Sequence, residues 1–288
     1  MSTSSADHCL ALLREADPDR YVSTLYLPHA TREAASALYA FDAEHARIPS
    51  LVKEPAAGEI RLQWWREVLE GKRESGGHPV ADLLLDHIGR HAWPLAVFDA
   101  MASARLVALY HDPMPDRASF EPWAGENTAS LFTLLGMTAG QEASSLWADA
   151  CGHAGVACRI AIQLQSLARD RATGRVYVPG DILSPLGCDA NRFLATDTDV
   201  RQLENIVEAF ARWGIDHARL ARKAARQLQP SARLILLPLI LAAHRLERAV
   251  ARPKLVLDGA PLLHPLTRQW LAWRGAIAAN GGNGPWLA

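Results

Sequence analysis

Residues 32–50 read Arg32-Glu33-Ala34-Ala35-Ser36-Ala37-Leu38-Tyr39-Ala40-Phe41-Asp42-Ala43-Glu44-His45-Ala46-Arg47-Ile48-Pro49-Ser50. Ala35, Leu38, Tyr39 and Ala46 recur at helical spacing, which predicts the apolar stripe of a buried helix. Asp17-Pro18-Asp19 and Pro28 punctuate the approach to it, and Pro55-Ala56-Ala57-Gly58 breaks the chain after it. Working outward, the same periodicity predicts helices over 59–69, 80–91, 94–110, 120–140, 143–169, 200–228, 231–250 and 266–279. The prolines of His111-Asp112-Pro113-Met114-Pro115 close one hairpin, since proline cannot continue a helix. A loop is expected over 174–191, with Arg175-Val176-Tyr177-Val178 as the sole short strand candidate. With no repeat or low-complexity linker, the pattern implies one all-α domain over 1–288, its core at about 19–279 and a flexible tail at 280–288.

Hydrophobic residues make up 49% of the 288, enough for a substantial core, and the 21% that are charged suit a soluble surface. Thirty basic against 31 acidic side chains give no electrostatic reason to expect nucleic acid. Cys9, Cys151, Cys158 and Cys188 form neither a disulfide framework nor a metal spacing, so they read as small buried thiols in a reducing compartment. Cys151 and Cys158 with His153 leave a zinc site conceivable. The N-terminus lacks the pattern of a secretory signal, and no run approaches the ~20 apolar residues that span a bilayer. A cytoplasmic location follows as the expectation. Adjacent Trp64 and Trp65 point about 100° apart on a helix, so one is expected in the core and the other at a surface or interface. His244 reads as a satisfied core histidine, and the eleven histidines show no metalloprotease pattern.

Leu27-Pro28, Arg32 and Ala37-Leu38-Tyr39-Ala40-Phe41 resemble the first helical signature of the squalene/phytoene synthases. Gln163-Leu164 and Gly174-Arg175-Val176-Tyr177-Val178-Pro179 resemble the flanks of that family's second motif. The likeness covers roughly residues 19–252 and implies an isoprenoid synthase fold, helices around a central cavity. Glu59-Ile60-Arg61-Leu62-Gln63-Trp64-Trp65-Arg66, Phe41-Asp42-Ala43-Glu44 and Gly125-Glu126-Asn127-Thr128 resemble one branch in particular. That branch holds alphaproteobacterial squalene/phytoene synthase-like proteins and the mitochondrial factor needed to assemble respiratory complex I. It implies a complex I subunit or assembly protein as partner, and peripheral contact with the inner face of a membrane.

The resemblance also exposes a loss. Active members hold a diphosphate through magnesium, which takes oxygen ligands from aspartates four apart on one helical face. Here the matching positions are Ala46, Arg47 and Ser50. Asp42 and Glu44 lie two apart, hence on different faces. Between the second motif's flanks the segment 165–173 is shorter than in the enzymes and leaves Asp170 between Arg169 and Arg171. Asp170 therefore reads either as a substitute carboxylate or as half of an intrahelical ion pair.

Two functions remain open, beside a less favoured third in which a different diphosphate chemistry uses the arginines in place of magnesium. The favoured one is a non-catalytic protein of this fold that binds a lipid or prenyl ligand, assists complex I assembly, or both, with no cofactor expected. The other is an active head-to-head prenyl transferase joining two prenyl diphosphates, with Asp42, Glu44 and Asp170 as catalytic candidates and magnesium required only then. Diphosphate departure needs its charge met by a metal or a dense cationic clamp, which favours the first. Candidate ligand-binding residues are Arg32, Tyr39, Gln63, Gln163, Arg171, Arg175 and Tyr177. With Arg169, the arginines among them could hold phosphate bidentately, or could be ordinary surface and helix-end residues.

Overall fold

The computed structural model describes residues 4–281, all helices, turns and loops. The expected tail lies, from residue 282 on, outside the described residues. In chain order the helices are α1 (Ser5–Ala16), α2 (Pro18–Thr24), α3 (His29–Leu51), α4 (Pro55–Leu69), α5 (Pro79–His91), α6 (Leu95–Ala104), α7 (Leu106–Tyr110), α8 (Arg117–Ala124) and α9 (Ser130–Thr138). There follow α10 (Ser145–Ala172), α11 (Gly180–Leu183), α12 (Ala190–Leu194), α13 (Val200–Ala225), α14 (Pro230–Ile235), α15 (Pro238–Ala251), α16 (Pro253–Leu257) and α17 (Pro265–Ala279). A π-turn, Gly125–Ala129, runs between α8 and α9, and a 3-10 turn, Ser184–Leu186, follows α11.

Seven of these helices place a proline in their first turn, where its missing N–H costs nothing and its fixed φ suits the helix. Pro55 therefore opens α4, four residues before the periodicity suggested. Pro238 likewise divides the expected helix 231–250 into α14 and α15. Arg175-Val176-Tyr177-Val178 is no strand: it crosses the 113–116 loop, where Met114 N–H donates to Val176 O and Gly180 N–H to Met114 O. The expected loop 174–191 contains the short α11, held by no long periodic run. Sequence periodicity also overlooked α1, which Ser4 caps by accepting from Asp7 N–H.

At the centre stands α10, 28 residues long and buried on almost every side from Ala150 to Leu167. It packs on α13, α15, α9 and the π-turn. Close approach is licensed by glycine. A Cβ on Gly155 would meet Ala129 Cβ at 2.7 Å and Ala129 N at 2.8 Å, and one on Gly214 of α13 would meet Leu246 at 2.8 Å. The four cysteines are free and buried, Cys151 and Cys158 among them, and burial pushes the Cys158 thiol up to about 12. Trp65 is in the core while Trp64 is only partly covered.

This packing separates two glycines of one helix. Gly155→Ala should destabilise by about 1–3 kcal/mol through overpacking against backbone. Gly152→Ala, whose Cβ meets nothing within 4 Å, should be neutral or stabilising by up to about 1 kcal/mol. Urea melts of the two variants check this, and equal midpoints would contradict the close α10 contact.

Candidate functional site

The inward face of α3 carries Asp42, 4% exposed, and what surrounds it is cationic. Arg20 Nη1 of α2 donates to one carboxylate oxygen at 2.5 Å, and Arg105 Nη2, at the junction of α6 and α7, donates to the other. Arg20 also pairs with Asp17 at 3.5 Å and lies 5.0 Å over the Tyr39 ring, one α-turn before Asp42. Burial alone would raise Asp42, but Arg105, Arg20 and Arg159 outweigh it and hold the carboxyl well below the ordinary carboxylate range. Burial would likewise lower Arg20, and Asp42 and Asp17 reverse that.

Arg159 comes from the middle of α10, 5% exposed and without a carboxylate hydrogen bond of its own. Its Nε donates to Thr128 Oγ1 at 3.2 Å and its Nη2 to Asn127 O at 3.1 Å, both in the π-turn. The widened turn thus supplies acceptors to a buried cation, which is what such local insertions often do near functional centres. Arg159 also lies 5.2 Å over the Trp123 ring, and Tyr177 stacks on the same indole at 5.5 Å. Burial and the neighbouring Arg105 lower Arg159.

Asp170 sits one side over, near the end of α10. Its carboxylate accepts from Ser166 Oγ at 2.5 Å, and Arg169 stands off at 3.9 Å with its side chain largely in solvent. The expected ion pair is therefore a marginal one, and burial raises Asp170 above its ordinary value. Gln163, Asp170, Arg175, Tyr177, Phe193 and Phe210 border a void of about 10 Å³, roughly one water's worth. Arg175 donates to Ala108 O at 3.4 Å and Pro49 O at 3.2 Å, and Arg171 to Phe193 O at 2.8 Å and Ala195 O at 3.3 Å. Arg171 thus ties the end of α12 to α10, and Arg175 ties the loop after α10 to α7 and α3.

The remaining candidates are scattered. Arg32 donates to Leu25 O and Leu27 O, closing the α2–α3 turn. Glu44 pairs with Arg47 at 3.6 Å. Gln63 lies exposed on α4, donating to Glu67 at 3.2 Å. Ala46, Arg47 and Ser50 are exposed. Asp42, Glu44 and Asp170 thus answer to three different sets of neighbours, and among the described residues no three His, Cys, Asp or Glu side chains gather in a way that could hold a metal ion. Magnesium, which the fold's enzymes use, does not fit these residues: the Asp42 carboxylate already meets two arginines, and neither Glu44 nor Asp170 shares its surroundings.

Comparison with known proteins decides the lineage. The squalene/phytoene synthase family model matches residues 13–270. This chain belongs to that family. Within it, the chain is 28% identical over 252 residues to the Drosophila melanogaster homolog of NADH dehydrogenase (ubiquinone) complex I, assembly factor 6, covering 84% of this chain and 75% of that one. It is 30% identical over 221 residues to the Bos taurus assembly factor 6, covering 74% of this chain and 65% of the relative. This chain therefore spans about two thirds to three quarters of these relatives' length. A dehydrosqualene synthase crystallised with ligand superimposes with a TM-score of 0.77 over 95% of this chain and 96% of that one, at 14% identity, which establishes the isoprenoid synthase fold alone.

Sequence reading singled out Asp42, Tyr39 and Tyr177 but missed Arg20, Arg105, Arg159 and Trp123. One signal was available. Arg159 interrupts the run Gly155-Val156-Ala157-Cys158-Arg159-Ile160-Ala161, and a lone arginine in an apolar helix demands a buried partner. Asp42→Asn strands two guanidiniums and should cost about 3–5 kcal/mol, whereas Glu44→Gln, at a partly exposed i,i+3 pair, should stay within about 0.5 kcal/mol. A depressed carboxyl contributes stability above its unfolded value near ~3.9, lost as pH falls through the folded value. The wild type should therefore weaken below about pH 4, and Asp42→Asn should show a shallower decline there, read by chemical denaturation at stepped pH.

Proposed function

We propose that this chain is a non-catalytic isoprenoid-synthase-fold protein that assists the assembly of respiratory complex I. The observation that carries the reading is the arginine-locked Asp42. A catalytic carboxylate in this fold has to be free to meet a metal, and this one is spent on Arg20 and Arg105. The exposed Ala46, Arg47 and Ser50 offer no substitute, and Asp170 borders a void of about 10 Å³, too small for a prenyl chain. The sequence relatives named as complex I assembly factor 6 support the assembly half. A prenyl diphosphate or lipid ligand at Asp170 would require that face of α10 to open, so the role rests on protein contact first. Peripheral membrane contact stays within the same proposal. No described helix is long and apolar enough to cross a membrane, so such contact would be made from the surface.

Two measurements test this together. Deleting the gene in the source organism should lower the amount of assembled complex I on native gels, and both the wild type and Asp170→Asn should restore it. Purified protein incubated with farnesyl or geranylgeranyl diphosphate should release no diphosphate, with or without magnesium, beside an active control enzyme. Unchanged complex I on deletion would overturn the assembly role. Magnesium-dependent release that falls on replacing Asp42, Glu44 and Asp170 by alanine would restore the prenyl transferase.

A further inference from the structure

An adjoining face of α3 borders a pocket of about 280 Å³ whose lining includes neither Asp42, Arg20 and Arg105 nor Asp170. α3 contributes Phe41 and His45, α4 contributes Trp65, Arg66 and Leu69 with Glu70 just past its end, and α6 lines the remaining side from Leu95 to Ala102. Its inner residues are buried and mostly aromatic: Phe41 meets Trp65 edge-on at 5.2 Å and Phe98 edge-on at 5.5 Å. Its outer residues, Glu70, Leu95, Ala96 and Asp99, are exposed.

His45 is the polar exception in that floor, 2% exposed. Its Nδ1 lies 3.0 Å from Phe41 O, and a carbonyl oxygen can only accept, so Nδ1 carries the proton. Nε2 is then a bare acceptor, and among the described residues it has no partner. An unpaired buried acceptor costs free energy that a ligand's donor would recover. The charges around the mouth are already matched, Arg66 with Asp99 at 2.6 Å and Lys72 with Glu70 at 2.6 Å. A charged guest would thus enter an aromatic floor with no counter-ion to meet it.

We propose that this pocket binds a small uncharged molecule with a hydrocarbon body and one hydroxyl group, of the phenol or alcohol class, whose hydroxyl donates to His45 Nε2. The aromatic floor holds the body and the acceptor selects the hydroxyl. Nε2 is itself sealed from bulk water, so the hydroxyl reaches it through a side-chain shift in the wall, an adjustment common on binding. Burial and the positive charge of Arg105 hold the His45 imidazole down to about 3, so the acceptor is present throughout the neutral range. The site is independent of the assembly reading and survives its failure.

The test uses the full chain labelled with 15N and four probes: phenol, cyclohexanol, and their hydroxyl-free counterparts toluene and methylcyclohexane. Saturable binding of phenol or cyclohexanol about tenfold tighter than its counterpart is expected, the worth of one hydrogen bond. The 15N resonance of His45 Nε2 should move with the same saturation curve. His45→Phe should abolish the preference, and Ala96→Trp, which plugs the exposed mouth without touching the core, should weaken all four probes. Equal affinity with and without the hydroxyl, an unmoved Nε2 resonance, or binding indifferent to Ala96→Trp would each overturn the proposal. So would a pocket that takes up water only.

Discussion

A carboxylate buried between two guanidiniums constrains every element that supplies a partner, because none can leave without stranding a charge in the interior. Asp42 does this for α2, α3 and the α6–α7 junction at once, through Arg20 and Arg105. A second node repeats the arrangement farther out: Asp19 of α2 takes Arg245 of α15 at 3.0 Å and Arg268 of α17 at 2.6 Å. The short α2, seven residues long, is thereby pinned on one side to the N-terminal helices and on the other to the C-terminal ones. Its own hydrophobic burial is slight, so these ion pairs fix where it sits. The fold keeps the helical shell of its family while its interior is stitched by charge.

Ion pairs of this kind show how a helical core can hold charge and stay closely packed. Filling the same space with carbon alone would require several side-chain volumes to be matched at once. Arginine fills space with a long apolar stem and brings a charge that must then be met. Asp42 meets two of the three buried guanidiniums. The third, Arg159, is met by the carbonyl of Asn127, the hydroxyl of Thr128 and the face of Trp123. The π-turn over Gly125–Ala129 makes sense in this setting: one extra residue per turn frees backbone acceptors that a regular helix would have consumed.

How much of this could be read from the chain follows from what spacing encodes. Helix existence was legible almost throughout, since α3, α5, α10, α13 and α17 keep a 3.6-residue period over their length. Boundaries were less so, because a proline stops one helix and starts the next with equal ease: Pro55 was read only as a break, and Pro238 was passed over inside one expected helix. The absence of aspartates at 46, 47 and 50 was legible from the resemblance to the family's motif. The arrangement around Asp42 was not, because Arg20 and Arg105 lie 22 and 63 residues from it, and no local period records such a pairing.

Helix α3 draws the parts together, since two adjoining faces of it do different things. Tyr39 and Asp42 face the charged centre, where each carboxylate oxygen accepts from a guanidinium. Phe41 and His45 face the aromatic pocket against α4 and α6, where an acceptor is left open. The i,i+4 bond from His45 Nδ1 to Phe41 O belongs to the second face and fixes the tautomer there. Arg105 reaches both: it pairs with Asp42, and its positive charge opposes protonation of His45. The charge that locks the centre therefore also keeps the imidazole on the adjoining face neutral, and with it a hydrogen-bond acceptor beside the aromatic pocket.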